Sequence, residues 1–207
     1  MMINGLFHQK MQPTKTVAGC IQIFENAWLD PQDTINTVEQ ECLKPETGIN
    51  WVRAETVGNN HNQTHRTNSN FNITHTAETT GNELAMAIHN QFYLLLLKTT
   101  ILYDEKYDVG NMYHEGYNML RYRTGQEYKA HKDGNTASGR SLSAILYLND
   151  DYTGGDIEFV FHNVKIKPKA GMLILFPSNY AYAHIAHPVT SGTKYAIVTW
   201  ITDRPVE

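Results

Sequence analysis

His131-Lys132-Asp133 is a short run in which residue types and spacing can do chemistry. In an extended segment residues two apart share a side, so the imidazole and carboxylate can grip one ion while Lys132 faces away. The same triplet also suits a solvated loop. A third ligand has to come from elsewhere in the chain, and His184, on a later strand, is the candidate. Two imidazoles and one carboxylate on one side of an ion leave its other positions open, an arrangement that suits Fe(II) oxygen chemistry.

Ten residues after His184 stands Lys194. Period-2 alternation puts Lys194, Ala196, Val198 and Trp200 on one face of the last strand and Tyr195, Ile197, Thr199 and Ile201 on the other. Both faces are apolar enough to be buried, and a buried ammonium needs a partner or loses its proton. No Asp or Glu lies near it in sequence, so a ligand carboxylate would serve. A lysine at the strand's mouth with its head in water is the competing reading.

The elements that must position these residues follow from patterning. Val17–Phe24 reads as a strand, and Asp30 before Pro31 reads as a helix cap, with Ile35, Val38 and Cys42 on one face. Leu84, Ile88, Phe92, Leu95 and Leu102 predict a second helix from about Gly81 to Lys106, laid across a sheet. Between them Pro45–Thr80, rich in Asn, Thr, Gly and His, reads as a long loop with edge strands near Trp51-Val52 and Phe71-Ile73. A loop that long suggests a lid. From Tyr117 on, strands are expected at Tyr117–Arg123, Arg140–Leu148, Asp156–Phe161, Val164–Lys167, Met172–Phe176, Ala181–His187 and Lys194–Ile201. The fold class is thus α+β, mainly β: a sandwich or jelly roll of antiparallel sheets braced by N-terminal helices.

With 207 residues, one domain is expected, 1–110 as support and 115–203 as the roll. The formal charge of -4, with no Lys/Arg run, argues against nucleic acid or an anionic membrane as partner. Cys20 and Cys42 make no disulfide framework, and the start lacks a secretory pattern, which points to a cytoplasmic protein. Asn62-Gln-Thr64 and Asn72-Ile-Thr74 match the glycosylation pattern and are read as chance. Oligomeric state stays open.

Together the features resemble a known family. Tyr122-Arg-Thr-Gly125-Gln-Glu-Tyr128-Lys-Ala-His131-Lys-Asp133 is similar to the YxxGxxYxxHxD segment of prolyl 4-hydroxylase-type Fe(II)/2-oxoglutarate dioxygenases. The likeness continues in order through Arg140–Asn149, Gly154–Phe159, Val164–Gly171 and His184–Lys194 to Trp200. The fold it implies is a double-stranded β-helix. It implies Fe(II) on His131, Asp133 and His184, and 2-oxoglutarate anchored by Lys194 with Tyr122 and Tyr147 beside it. Tyr128, Arg140 and Trp200 would contact a polypeptide substrate, proline-containing first of all. The reaction implied is hydroxylation with O2, coupled to decarboxylation of 2-oxoglutarate to succinate and CO2, with ascorbate as an accessory reductant. Read without the resemblance, both tyrosines and Trp200 serve equally as core aromatics and Arg140 as a surface residue. The chain departs from the pattern at Ile157, where many relatives carry Thr, and at Thr202, where algal members carry His. Other targets for the same chemistry, or a cupin-like metal-binding module without turnover, are the alternatives.

Overall fold

The computed structural model describes residues 11–54, 65–110, 113–135 and 138–205. Its strands are β1 Lys15–Val17, β2 Ile21–Phe24, β3 Val52–Arg53, β4 Ser69–Asn72, β5 Tyr113–His114, β6 Asn118–Arg123, β7 Tyr128–His131 and β8 Arg140–Tyr147. They continue with β9 Thr153–Gly154, β10 Ile157–Phe159, β11 Val164–Ile166, β12 Leu173–Pro177, β13 His184–Ala186, β14 Val189–Ser191 and β15 Thr193–Thr202. The helices are α1 Pro31–Glu41, α2 Ile73–Thr80 and α3 Glu83–Tyr107.

Among the described residues the larger sheet runs β1-β2-β12-β8-β15-β6-β4-β3, with β5 on the end of β15; the smaller runs β11-β10-β13-β7, and β14 pairs with β9. Every recorded strand pair is antiparallel. The two main sheets face each other as a jelly roll, and α1 and α3 lie on the outer face of the larger one.

Alternation decides which side each residue serves. In β12 every residue of Leu173-Ile174-Leu175-Phe176 is buried: Leu173 and Leu175 join the helices' core, Ile174 and Phe176 the interior between the sheets. A strand covered on both faces therefore reads as an unbroken apolar run. Leu142, Ala144 and Leu146 of β8 meet Ile88, Phe92 and Leu96 of α3 in the same core. Helix α3 is capped at its start by the Asn82 side chain, which accepts from the Ala85 N–H at 2.9 Å. Its 25 residues span roughly 37 Å at 1.5 Å per residue, long enough to brace the sheet.

The structure corrects several expectations. Val17–Phe24 is not one strand: Ala18 and Gly19 take left-handed φ values of 47° and 76° and turn the chain between β1 and β2. Asp30 sits in the left-handed region with no side-chain cap bond; its carbonyl instead accepts from the Asp33 and Thr34 N–H groups. Ile73 begins α2 where an edge strand was expected, and the Asn72 side chain caps that helix through the His75 N–H. The strand expected to reach Phe161 ends at Phe159, and Tyr180–Tyr182 is a turn of 3-10 helix ahead of β13. Residues 55–64, the middle of the expected lid and the site of Asn62, lie outside the described residues. The described end of that stretch hydrogen-bonds along β7: Thr67 N–H donates to the Glu127 carbonyl and Lys129 N–H to the His65 carbonyl. At Gly154, with φ 71°, a Cβ would press into the Pro188 carbonyl, so the β9–β14 crossing demands glycine.

Candidate active site

β7 and β13 are neighbours in the smaller sheet, and their register sets His131 directly opposite His184. Asp133 follows two residues past His131, in the loop that leaves β7. The result brings one ligand atom from each of the three within 4.8 Å of the others. His131 Nε2 is 3.6 Å from one Asp133 carboxylate oxygen and His184 Nε2 3.7 Å from the other. Both Nδ1 atoms are turned to backbone carbonyls, His131 to Lys129 at 2.7 Å and His184 to Tyr182 at 3.2 Å. A carbonyl can only accept, so each Nδ1 carries the proton and each Nε2 keeps its lone pair aimed at the shared point, as a metal ligand requires.

Electrostatics agree with that geometry. Burial, reinforced by the neighbouring His184, pushes the His131 imidazole far below its usual range, so it stays neutral. For Asp133 burial acts upward, but the two imidazoles, the hydrogen bond from Ser143 and the neighbouring Trp200 outweigh it and hold the carboxyl below its ordinary value. A neutral imidazole and an ionised carboxylate are the forms that bind a divalent ion.

Ser143 donates to the Asp133 carboxylate at 2.7 Å, and its hydroxyl also pairs with that of Ser178 at 2.7 Å. Ser143→Ala should therefore weaken Mn(II) binding by about 10-fold, as loss of an outer-shell partner does, with little change in the melting temperature. A titration following free Mn(II) checks this.

The cavity beside these three side chains opens between the sheets. Lys194, Ala196, Val198 and Trp200 all line it, the face that alternation assigned to them, together with Tyr122, Tyr147 and Ile157. Lys194 is 2% exposed and faces Tyr122 across the β15–β6 register. Its ammonium donates to the Gly155 carbonyl at 2.7 Å and lies 4.8 Å from the Tyr122 ring and 5.6 Å from that of Tyr147. Burial lowers its pKa from 10.5 to about 7, with Asp156 pulling weakly the other way. Burial also raises both tyrosines, Tyr122 to about 12. Ile157 presents methyl groups where a threonine would offer a hydroxyl.

At the mouth, Tyr128 stacks on His131 with centroids 3.5 Å apart, and the Arg66 guanidinium lies 4.9 Å from the Tyr128 centroid. Arg140 sits 3.8 Å over the Trp200 ring and forks onto Glu115 at 2.7 and 2.6 Å. It is a paired cation in a partly buried place, not the surface residue of the plain sequence reading. His187 stands apart from the ligand set, against Glu158 at 2.7 Å.

The sequence reading missed Ser143, Ser178, Arg66 and Glu115. Ser143 carried a signal: period-2 counting back from Tyr147 passes through Ile145 to Ser143 and puts its hydroxyl inside the roll. The other three arrive from separate elements and had none.

Residues 117–202, about four-tenths of the chain, match the family model described as the 2OG-Fe(II) oxygenase superfamily. That stretch holds every cavity residue named above except Arg66. In fold and in the spacing of His131, Asp133 and His184 this stretch is similar to the oxygenase domains that the model describes, and the relatives it resembles are prolyl hydroxylases. A probable prolyl 4-hydroxylase of Arabidopsis thaliana is 33% identical over 122 residues, 45% of this chain and 42% of that protein. Human prolyl 3-hydroxylase 2 is 39% identical over 72 residues, 32% of this chain and 10% of that protein. The chain thus spans less than half the length of these curated relatives. Among solved structures, a Trichoplax adhaerens prolyl hydroxylase in complex with a hypoxia inducible factor peptide fragment superposes with TM-score 0.72 at 18% identity. That match covers 90% of this chain and 84% of the other. The viral collagen prolyl hydroxylase of Paramecium Bursaria Chlorella virus-1 gives 0.61 at 20% identity, over 88% and 95%. Among the described residues no helix is long and apolar enough to cross a membrane.

Proposed function

We propose that the protein hydroxylates a peptidyl residue, proline before others, using Fe(II), 2-oxoglutarate and O2. The observation that carries this reading is one cavity holding both ends of a dicarboxylate site. Three potential ligand atoms within 4.8 Å form one end, and a buried ammonium with one hydrogen bond among the described residues forms the other.

In this reading His131, Asp133 and His184 hold Fe(II). Bound there, the metal with 2-oxoglutarate and O2 supplies the oxidising power that yields succinate, CO2 and a hydroxylated product. The chain's residues do the rest. Lys194 pairs with the far carboxylate of 2-oxoglutarate, and the rings of Tyr122 and Tyr147 wall the ammonium off from water. Ile157 closes that end with apolar surface, so recognition of the far carboxylate leans on Lys194. Tyr128 and Trp200 border the mouth that a peptide would enter, with one face of Tyr128 taken by His131 and one face of Trp200 by Arg140. Arg140 has its charge met by Glu115, so it serves a peptide as a hydrogen-bond donor to a carbonyl and does not select an acidic side chain. Residues 65–67 run along β7 and set Arg66 over Tyr128, and this short segment is the proposed cover, whereas β4 and α2 of the expected lid belong to the larger sheet and the helix-side core.

The test is incubation of proline-containing peptides with the protein, Fe(II), 2-oxoglutarate and ascorbate, with succinate and peptide mass both followed. Gain of one oxygen atom on proline with matching succinate is expected. Succinate release without peptide oxidation would move the target to another side chain or a small molecule. No succinate with any partner would leave a metal-binding module.

A further inference from the structure

We infer that Glu115 is a positioning residue of this site, fixing Arg140 so that Asp133 offers its carboxylate to a divalent metal in one direction. This rests on the proposed reading of His131, Asp133 and His184 as metal ligands. Glu115 lies before the matched segment, which begins at residue 117.

The contacts close a ring. Arg140 Nε and Nη2 donate to the two Glu115 oxygens at 2.7 and 2.6 Å, a fork that fixes the guanidinium plane. Held in that plane, Nη1 reaches the Asp133 backbone carbonyl at 3.2 Å, and the face of the group covers the Trp200 ring at 3.8 Å. Trp200 in turn neighbours the Asp133 carboxyl and helps to hold it below its ordinary range. Glu115 itself is tied to the strand that carries Trp200. Its N–H donates to the Trp200 carbonyl at 2.9 Å, and its own carbonyl accepts from the Thr199 hydroxyl at 3.0 Å. Main chain and side chain of Asp133 are thus both referred to β15 through this ring.

Asp133 needs such help because it lies beyond the end of β7, in a loop without ladder bonds. The recorded backbone anchor nearby is Gly134 N–H to the Ser178 carbonyl at 2.8 Å. A ligand on a strand inherits its direction from the sheet, as His131 and His184 do; one on a loop must be aimed by its neighbours. The pair is shielded enough to act as a rigid strut, with side chains 12% and 19% exposed for Arg140 and Glu115. Freely solvated pairs contribute little order.

The test measures Mn(II) affinity of the full chain from the electron paramagnetic resonance signal of the free ion, with no turnover involved. Glu115→Gln should weaken Mn(II) binding by about 10- to 100-fold. It also strands the Arg140 charge, so stability falls as well. The double variant Glu115→Gln/Arg140→Gln separates the two effects: with neither charge left unpaired, thermal stability returns towards wild type, while Mn(II) affinity stays weak. Wild-type affinity in the double variant would overturn the positioning role and leave the pair a stabilising clip. Failure of the wild-type protein to bind Mn(II) would overturn the ligand reading itself.

Discussion

Asp133→Ala should reduce 2-oxoglutarate-dependent succinate release to background while leaving the protein folded, and His131→Ala should do the same. A metal that is lost or misplaced forfeits several kcal/mol of barrier lowering, a fall of about 10³-fold or more. The fold should survive because neither residue belongs to the cores that hold the sheets. Those are built by residues such as Leu173, Leu175 and Phe92 on one side and Ile174, Phe176 and Phe159 on the other. Removing Asp133 also removes a buried charge, and Ser143 keeps Ser178 as a hydrogen-bond partner. Circular dichroism and a melting temperature within about 5 °C of wild type check the second half of the expectation. Variants that unfold would make the metal a structural one and take away the main support for turnover.

Lys194→Met should raise the KM for 2-oxoglutarate by roughly 10- to 100-fold with a smaller effect on kcat, because a charge-assisted bond to a carboxylate contributes about 1.5–3 kcal/mol. An unchanged KM would remove Lys194 from its role. The pH dependence follows from the same group. With its pKa lowered from 10.5 to about 7, the buried amine is largely neutral above pH 7 in the ligand-free protein, whereas in the unfolded chain it stays charged. Between about pH 7 and 10.5 the unfolded state binds more protons, so this group makes stability rise with pH across that window. A bound dicarboxylate reverses the preference by supplying a counter-charge. Binding at pH 8 should therefore take up close to one proton in wild type and none in Lys194→Met, and affinity should weaken as pH climbs above 7. Isothermal titration in buffers of different ionisation enthalpy reads the proton directly.

Much of the site was legible because it sits on regular elements. His131 and His184 belong to strands, and alternation along β15 put Lys194, Ala196, Val198 and Trp200 on one face, which the structure turns to the cavity. What escaped notice depends on contacts between distant segments. Helix α2 hides in Ile-Thr-His-Thr-Ala-Glu-Thr-Thr, a stretch of poor helix formers. Its bracketing by Asn72 and by Gly81, at φ 67°, was the local clue. Strand β7 is four residues long and gains a neighbour from residues 65–67, a pairing no local pattern announces. Glu115 finds Arg140 across 25 positions, and nothing in either neighbourhood names the other.

The site's two ends belong to different layers. His131 and His184 are carried by the smaller sheet and Lys194 by the larger. On the proposed roles, a dicarboxylate reaching from metal to ammonium becomes a cross-tie between the leaves of the roll. Loading the protein with Mn(II) and 2-oxoglutarate should therefore slow amide hydrogen exchange in β7 and β13 more than in β8 and β12, which the helices already back. The edge of the smaller sheet around β7 would then be the part of the molecule that stiffens when its small partners arrive.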